Sequence, residues 1–193
     1  MMNDILFGIS NPFEYAKKLD REYKRLSSSI GEKSKQDQVD HALNFSFVAW
    51  HLTDRVFNYP DTKNSLKEKG IEDWKAFQTR VFSLCPELRI CYDLTISYKH
   101  YNGNRNTAKT VKSAAQVSEG VIAKIMGVPI SQIAKFNGVP ISQIARINGV
   151  PVSIKYANHK LIITRTDGTQ LNFMDIAKAV NQFWQKELEL LTT

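Results

Sequence analysis

The chain has 193 residues, the length of one ordinary domain or of a domain with a sizeable insert. Hydrophobic residues make up 42% and charged residues 23%, enough for a packed core and against wholesale disorder. The 26 Lys and Arg against 19 Asp and Glu leave a net charge of +7. No apolar run approaches the roughly 18 residues of a membrane span. The opening MMNDILFGIS lacks the basic and apolar regions of a secretory signal. Membrane protein, secreted mini-protein, collagen and coiled-coil rod are excluded.

The first helix is expected from about Asn11 to Ser27. Asn11 can cap it, Pro12 suits the first turn, and Tyr15, Leu19, Tyr23 and Leu26 recur at helical spacing. A polar loop follows over 27–34. A longer helix runs from about Asp37 to Asn58, with Val39, Leu43, Phe47, Trp50, Val56 and Phe57 on a broad apolar face; Asn58-Tyr59-Pro60-Asp61 stops it. A short amphipathic helix is expected around Glu72 to Ser83, and a fourth from Leu88 to Tyr101, with Pro86 at its start. Four helical segments joined by short loops imply antiparallel neighbours in a bundle. Cys85 and Cys91, read on one helix, lie about 120° apart, too splayed for a disulfide. They are expected to be buried thiols in a reducing cytoplasm.

Two polar stripes run along otherwise apolar helices. At about 100° per residue Arg89, Asp93 and His100 fall within roughly 40° of one another. Asn44, His51, Asp54 and Asn58 form a similar stripe on the preceding long helix. If the stripes face each other, the cleft holds two imidazoles, two carboxylates, Arg89 and Lys99. A protein that cuts RNA needs a base for the 2′-hydroxyl and a cation for the phosphorane, roles open to His100 and Arg89. His51, Asp54 and His100 could instead hold a divalent metal. The bland reading is an ordinary Arg89–Asp93 pair at i, i+4 and a solvated His51.

ALNFSFVAWHLTDRVF (42–57), CPELRICYDLTISYKHY (85–101) and IAKAVNQFWQKEL (176–188) resemble a group of small uncharacterised bacterial proteins whose bundle is similar to that of HEPN domains. That superfamily contains many RNA-cutting toxins and defence proteins. The resemblance implies a HEPN-like helical bundle and an RNA-directed activity. The superfamily's ribonuclease motif has an Arg, a polar residue and a His about six residues on; here Ile90 follows Arg89, and His100 lies eleven residues on.

Next comes an internal repeat of eleven residues, AKIMGVPISQI (123–133), AKFNGVPISQI (134–144) and ARINGVPVSIK (145–155), whose first two copies agree at nine positions. Gly127, Gly138 and Gly149 close short turns, each Val-Pro step enforces an extended chain, and Ser131 or Ser142 can cap a brief helix ending at the next Asn-Gly. Such a unit cannot bury itself, so the copies are expected to stack or wrap on something. Residues 119–138 also fit a helix-turn-helix pattern, with Gln132 and Lys135 on the would-be recognition helix. The I-A-K-x-x-G-V unit resembles tandem repeats of phage structural proteins, where they join or assemble domains. Ahead of it, Asn102 to Lys112 reads as a polar, basic loop. Lys99, Arg105, Lys109, Lys112 and Lys135 could meet phosphate there.

Val152–Tyr156 and Lys160–Thr166 read as a hairpin with His159 at its tip, Asp167-Gly168 as a turn and Gln170–Asn172 as a short third strand. A last helix opens at Asn172 or Met174, docked by Phe183 and Trp184. The fold expected is therefore mainly α. It comprises a helical bundle over 1–101, a basic linker over 102–120, the repeat insert over 121–151, and a small antiparallel hairpin plus closing helix over 152–193. Two functions compete, with a helix-turn-helix DNA binder as a third. The first is a HEPN-like RNA-binding or RNA-cutting protein of a bacterial or phage conflict system, using His100, Arg89, Asp93, His51 and Asp54. The second is a non-enzymatic assembly protein whose residues 121–151 bind a partner or build a homo-oligomer. RNA or DNA is a possible ligand; no metal, cofactor or membrane is expected, and the compartment is the cytoplasm.

Overall fold

A computed structural model describes residues 9, 11–30, 35–99, 110–119, 124–125, 128–129, 135–136, 139–140, 146–147, 150–151 and 158–191. These form six helices and a three-stranded antiparallel sheet, together with three separate two-stranded ladders.

The first helix, α1 (Pro12–Ser28), starts as its sequence dictates: the Asn11 side chain accepts the Glu14 N–H at 2.9 Å, and Pro12 fills the first turn, where no amide donor is needed. Its buried stripe is Leu19, Glu22 and Leu26. Helix α2 (Lys35–Asn58) is the central element, in contact with all the other helices. Phe45, Ala49, Leu52 and Val56 are wholly buried along it.

Proline ends α2 but does not end helical structure. Tyr59 takes the extended conformation that a following proline favours, and Pro60 then opens α3 (Pro60–Glu68), a helix where the sequence predicts only a stop. The Thr62 hydroxyl donates to the Val56 carbonyl, which joins α3 to the last turn of α2. Helix α3 closes in a Schellman motif. Gly70 N–H reaches the Lys67 carbonyl and Ile71 N–H the Leu66 carbonyl, each at 2.9 Å, with Gly70 at φ +74°.

Helix α4 (Trp74–Leu84) is capped by Asp73, whose carboxylate accepts the Ala76 N–H at 2.8 Å. Helix α5 (Pro86–Lys99) follows after Cys85 alone. The two cysteines are thus not on one helix, contrary to expectation: Cys85 lies at the α4–α5 junction and Cys91 within α5. Both are free and buried.

The sheet corrects the reading of the middle of the chain. Residues expected as the end of a basic linker form strand β1 (Val111–Glu119). Strand β8 (Asn158–Arg165) pairs antiparallel with β1, from Val111 opposite Arg165 to Glu119 opposite Asn158. The residues expected as its partner, 152–156, lie outside the described residues. His159, expected at a hairpin tip, is inside β8, paired with Ser118. The third strand is as expected: β9 (Gln170–Asn172) pairs with β8 across Asp167-Gly168. There Gly168 takes φ +86°, and the Asp167 carboxylate accepts the Thr169 N–H at 2.9 Å.

Helix α6 (Phe173–Leu190) begins directly after β9, with the Asn172 side chain accepting the Met174 N–H at 3.1 Å. It packs on α1, α2, α5 and the sheet. Trp184 is fully buried, docking the helix as expected. Ring contacts tie the layers together, Tyr23 and Phe173 each meeting Phe45 edge-on at 6.4 and 6.2 Å. Ser65 of α3 and Lys69, its C-cap, satisfy carbonyls that the end of α6 leaves open. Ser65 Oγ donates to the Leu191 carbonyl at 2.8 Å, and Lys69 Nζ to that of Leu190 at 3.0 Å. Among the described residues no helix is long and apolar enough to cross a membrane.

Candidate functional site

The polar stripes of α2 and α5 do not form a shared wall among the described side chains. Helix α5 meets α2 through rings, Tyr98 against Phe47 at 5.3 Å and Tyr92 against Trp50 at 4.5 Å. Cys91 is buried on the same side, near the Ser46 hydroxyl. Arg89 and Asp93 sit two residues either side of Cys91, hence about 160° around the helix from it. They point toward α4 and the sheet.

Asp93 is wholly buried there and performs a structural task. One carboxylate oxygen, Oδ2, accepts the backbone N–H groups of Thr110 at 2.6 Å and Val111 at 3.3 Å. The other, Oδ1, lies 3.4 Å from Arg89 Nε. Charge-assisted bonds of this kind secure the first residues of β1 to α5. The Arg89 guanidinium lies over the Phe82 and Tyr92 rings at 4.9 and 5.2 Å, its ordinary place when carboxylate and aromatic partners coincide.

Whereas Arg89 and Asp93 lie on the side of α5 away from Cys91 and Tyr98, His51 and Asp54 flank Phe47 on α2. Their Nδ1–Oδ2 separation is 3.6 Å with both side chains about half exposed, 54% and 47%. An exposed pair of this geometry contributes little, roughly 0–1 kcal/mol. The neighbours of Asp54 include Tyr15 of α1 and Arg55, which lies over the Tyr15 ring at 5.4 Å. Phe47, docked on Tyr98, falls between His51 and Asp54 around the helix and interrupts the expected stripe. Of the remaining expected site residues, His100, Arg105, Lys109 and Gln132 lie outside the described residues. Lys99 ends α5, and Lys112 is exposed on β1.

No other described cluster has the form of a catalytic centre. Burial pushes the Cys85 thiol up to about 12, and raises that of Cys91 as well, the reverse of an activated nucleophile. Glu187 is buried, which raises its pKa against the opposing pull of Arg80, 2.7 Å away. The pair ties α4 to α6.

The repeat is built differently from its expected form. Each copy contains a minimal antiparallel ladder. Strands β2 (Lys124–Ile125) and β3 (Val128–Pro129) pair in the first copy, β4 (Lys135–Phe136) and β5 (Val139–Pro140) in the second, and β6 (Arg146–Ile147) and β7 (Val150–Pro151) in the third. Register repeats with sequence: Lys124 opposes Pro129, Lys135 opposes Pro140, and Arg146 opposes Pro151. Two residues separate the paired strands each time, Met-Gly once and Asn-Gly twice. Asn-Gly between strands is the strongest short hairpin signal in a sequence. Read instead as a helix terminus, it led to the expectation of a brief helix per unit. The helix-turn-helix geometry fails at the same point, because Lys135 lies in a strand.

All three ladders fall between Glu119 and Asn158, which are opposite each other at the open end of the β1–β8 pair. The repeat is an excursion from the far end of that hairpin, leaving and rejoining the fold at one place. No family model, curated protein or solved structure matches the chain.

Proposed function

We propose that this protein is a non-enzymatic assembly protein of the cytoplasm, in which the helical bundle is a scaffold and the repeat joins copies of the chain. One observation carries the reading: residues 120–157 depart and return between the paired residues Glu119 and Asn158, and within them three copies of one hairpin recur at a period of eleven residues. A ladder two residues long cannot hold itself together in water. Three near-identical ones on one excursion offer the same surface three times, so each contact between two chains raises the effective concentration for the next. The resemblance of the I-A-K-x-x-G-V unit to assembly repeats of phage structural proteins supports the same choice.

The RNA-cutting reading is weaker. Two of its five residues, Arg89 and Asp93, are engaged with α4 and with the start of β1.

Light scattering on the full chain and on a chain with 120–157 replaced by Asn-Gly tests the proposal. The full chain is expected to form a defined oligomer and the shortened chain a folded monomer. A full chain that stays monomeric up to high concentration overturns the proposal, as does an oligomer that survives the replacement. Cleavage of a mixed RNA substrate that His100→Ala abolishes would restore the enzyme reading.

A further inference from the structure

We infer that the repeat holds the phosphate backbone of duplex DNA through one cation in each unit, Lys124, Lys135 and Arg146. Charge is spread unevenly along the chain. The segment between α5 and β8 (100–157) has seven Lys and Arg and a single acid, Glu119, and so carries +6 of the net +7. All other residues together have 19 Lys and Arg against 18 Asp and Glu. Within the excursion itself, 120–157, there are four cations and no acid. Like charges gathered in one segment raise the local potential and draw in a counter-charge from outside it.

The cations recur with the fold. Lys124, Lys135 and Arg146 take the same register position in their ladders, opposite Pro129, Pro140 and Pro151. The third copy differs from the second at five of its eleven positions, and at this one the change is Lys to Arg, which keeps the charge. The other four changes bring in one more cation, Lys155, and no acid. Lys112 is exposed on β1, the strand that leads into the excursion.

The spacing of charge on the ligand decides between polyanions. Duplex DNA carries a phosphate about every 1.7 Å of its axis, so a unit meets one wherever it falls along the helix. An acidic protein offers carboxylates at fixed places, which three identical units would have to match one by one. Contact by one unit with a long polymer raises the effective concentration for the next. Such contacts read no bases, so binding is expected without choice of sequence. The inference shares the repeat with the assembly reading but does not rest on it.

Fluorescence anisotropy of a labelled mixed-sequence duplex, titrated with the full chain at several salt concentrations, tests it. The logarithm of affinity is expected to fall with log salt at a slope of about −2.7 or steeper, 0.9 for each of three phosphates. Lys124→Gln, Lys135→Gln and Arg146→Gln together should flatten that slope by about 2.7 and weaken binding roughly a hundredfold or more at about 0.1 M salt. Lys124→Arg with Lys135→Arg should bind like the wild type. Removing one unit (134–144) should flatten the slope by about 0.9, and leaves the other two hairpins unaltered. Lys67→Gln, Lys75→Gln and Lys178→Gln take the same charge from exposed positions of α3, α4 and α6, and should change affinity by less than about threefold. An equal loss in that variant overturns the inference, because net charge alone would then hold the duplex. Absent or salt-independent binding overturns it too, as does stronger competition by poly-glutamate or by phosphatidylserine vesicles than by unlabelled duplex. DNA binding by a chain that light scattering shows to be a monomer supports this inference and removes the assembly reading; a defined oligomer without affinity for DNA does the reverse.

Discussion

Glu119 and Asn158 are paired opposite each other at the end of the β1–β8 ladder, and this makes the length of chain between them nearly irrelevant to the bundle. The entropic cost of closing a loop grows slowly, about 0.6 kcal/mol for each doubling of length. Removing one eleven-residue unit (134–144), or duplicating it, is therefore expected to change unfolding free energy by less than about 0.5 kcal/mol. Urea denaturation followed by helix content measures this. A change of several kcal/mol would mean that the repeat packs on the bundle as part of its core.

The α3 terminus makes a second, independent prediction. Gly70 sits at φ +74°, and a Cβ added there meets nothing within 4 Å. Substitution by Ala therefore acts through backbone strain alone, with no clash to add. Gly70→Ala is expected to cost about 1 kcal/mol, and Gly70→Asn less, because Asn tolerates the left-handed region. Thermal unfolding of the two variants checks the order. If Ala were neutral, the Schellman closure at Ile71 would not depend on the left-handed residue.

The helices were legible because their signals are local. Asn11, Asp73 and Asn172 cap, Pro12 and Pro86 open, and the apolar spacing of α1, α2 and α6 shows which side is buried. What could not be read is what depends on distant partners. Residues 111–119 lack the alternation of a strongly amphipathic strand, and their partner β8 lies beyond the whole repeat. Helix α3 was hidden because one proline both ends α2 and starts its successor. For the candidate site, the Arg89–Asp93 pairing follows from i, i+4 spacing, but the direction of the pair does not. Periodicity shows that residues share a face without showing which neighbour that face meets. Here Phe47 and Tyr98 occupy the α2–α5 contact, and the charged stripe of α5 was left for β1.

The cysteines make a prediction about reactivity. Burial holds the Cys85 thiol at about 12 and raises that of Cys91, whereas an unfolded chain has them near 8.5. At pH 8 the folded protein then holds roughly a thousandfold less Cys85 thiolate than the unfolded chain. Alkylation by iodoacetamide at pH 8 is expected to be negligible in the native state and complete in denaturant. The sign of the linkage follows: a raised pKa contributes stability that is full below about pH 8.5 and lost as pH rises toward 12. Replacing both thiols with Ser or Ala should therefore flatten the alkaline arm of the stability profile. Rapid native labelling of Cys85 would show that it is accessible and ionised.

Asp93 separates the structural from the catalytic view of α5 most directly. Its buried carboxylate accepts two backbone N–H groups at the start of β1 and lies beside the Arg89 guanidinium. Asp93→Ala leaves those donors without their acceptor and a largely buried cation without its counter-charge, which is expected to cost about 3–5 kcal/mol. Asp93→Asn keeps the shape and an oxygen acceptor but removes the charge, and is expected to cost less, about 1–3 kcal/mol. Amide exchange at Thr110 and Val111 should accelerate in both variants while exchange within α1 and α6 keeps its wild-type ranking, because the loss begins at the β1 attachment. A catalytic carboxylate would behave in the opposite way. Its removal would leave stability and exchange unchanged, or improve stability, and would register only as lost turnover of a substrate.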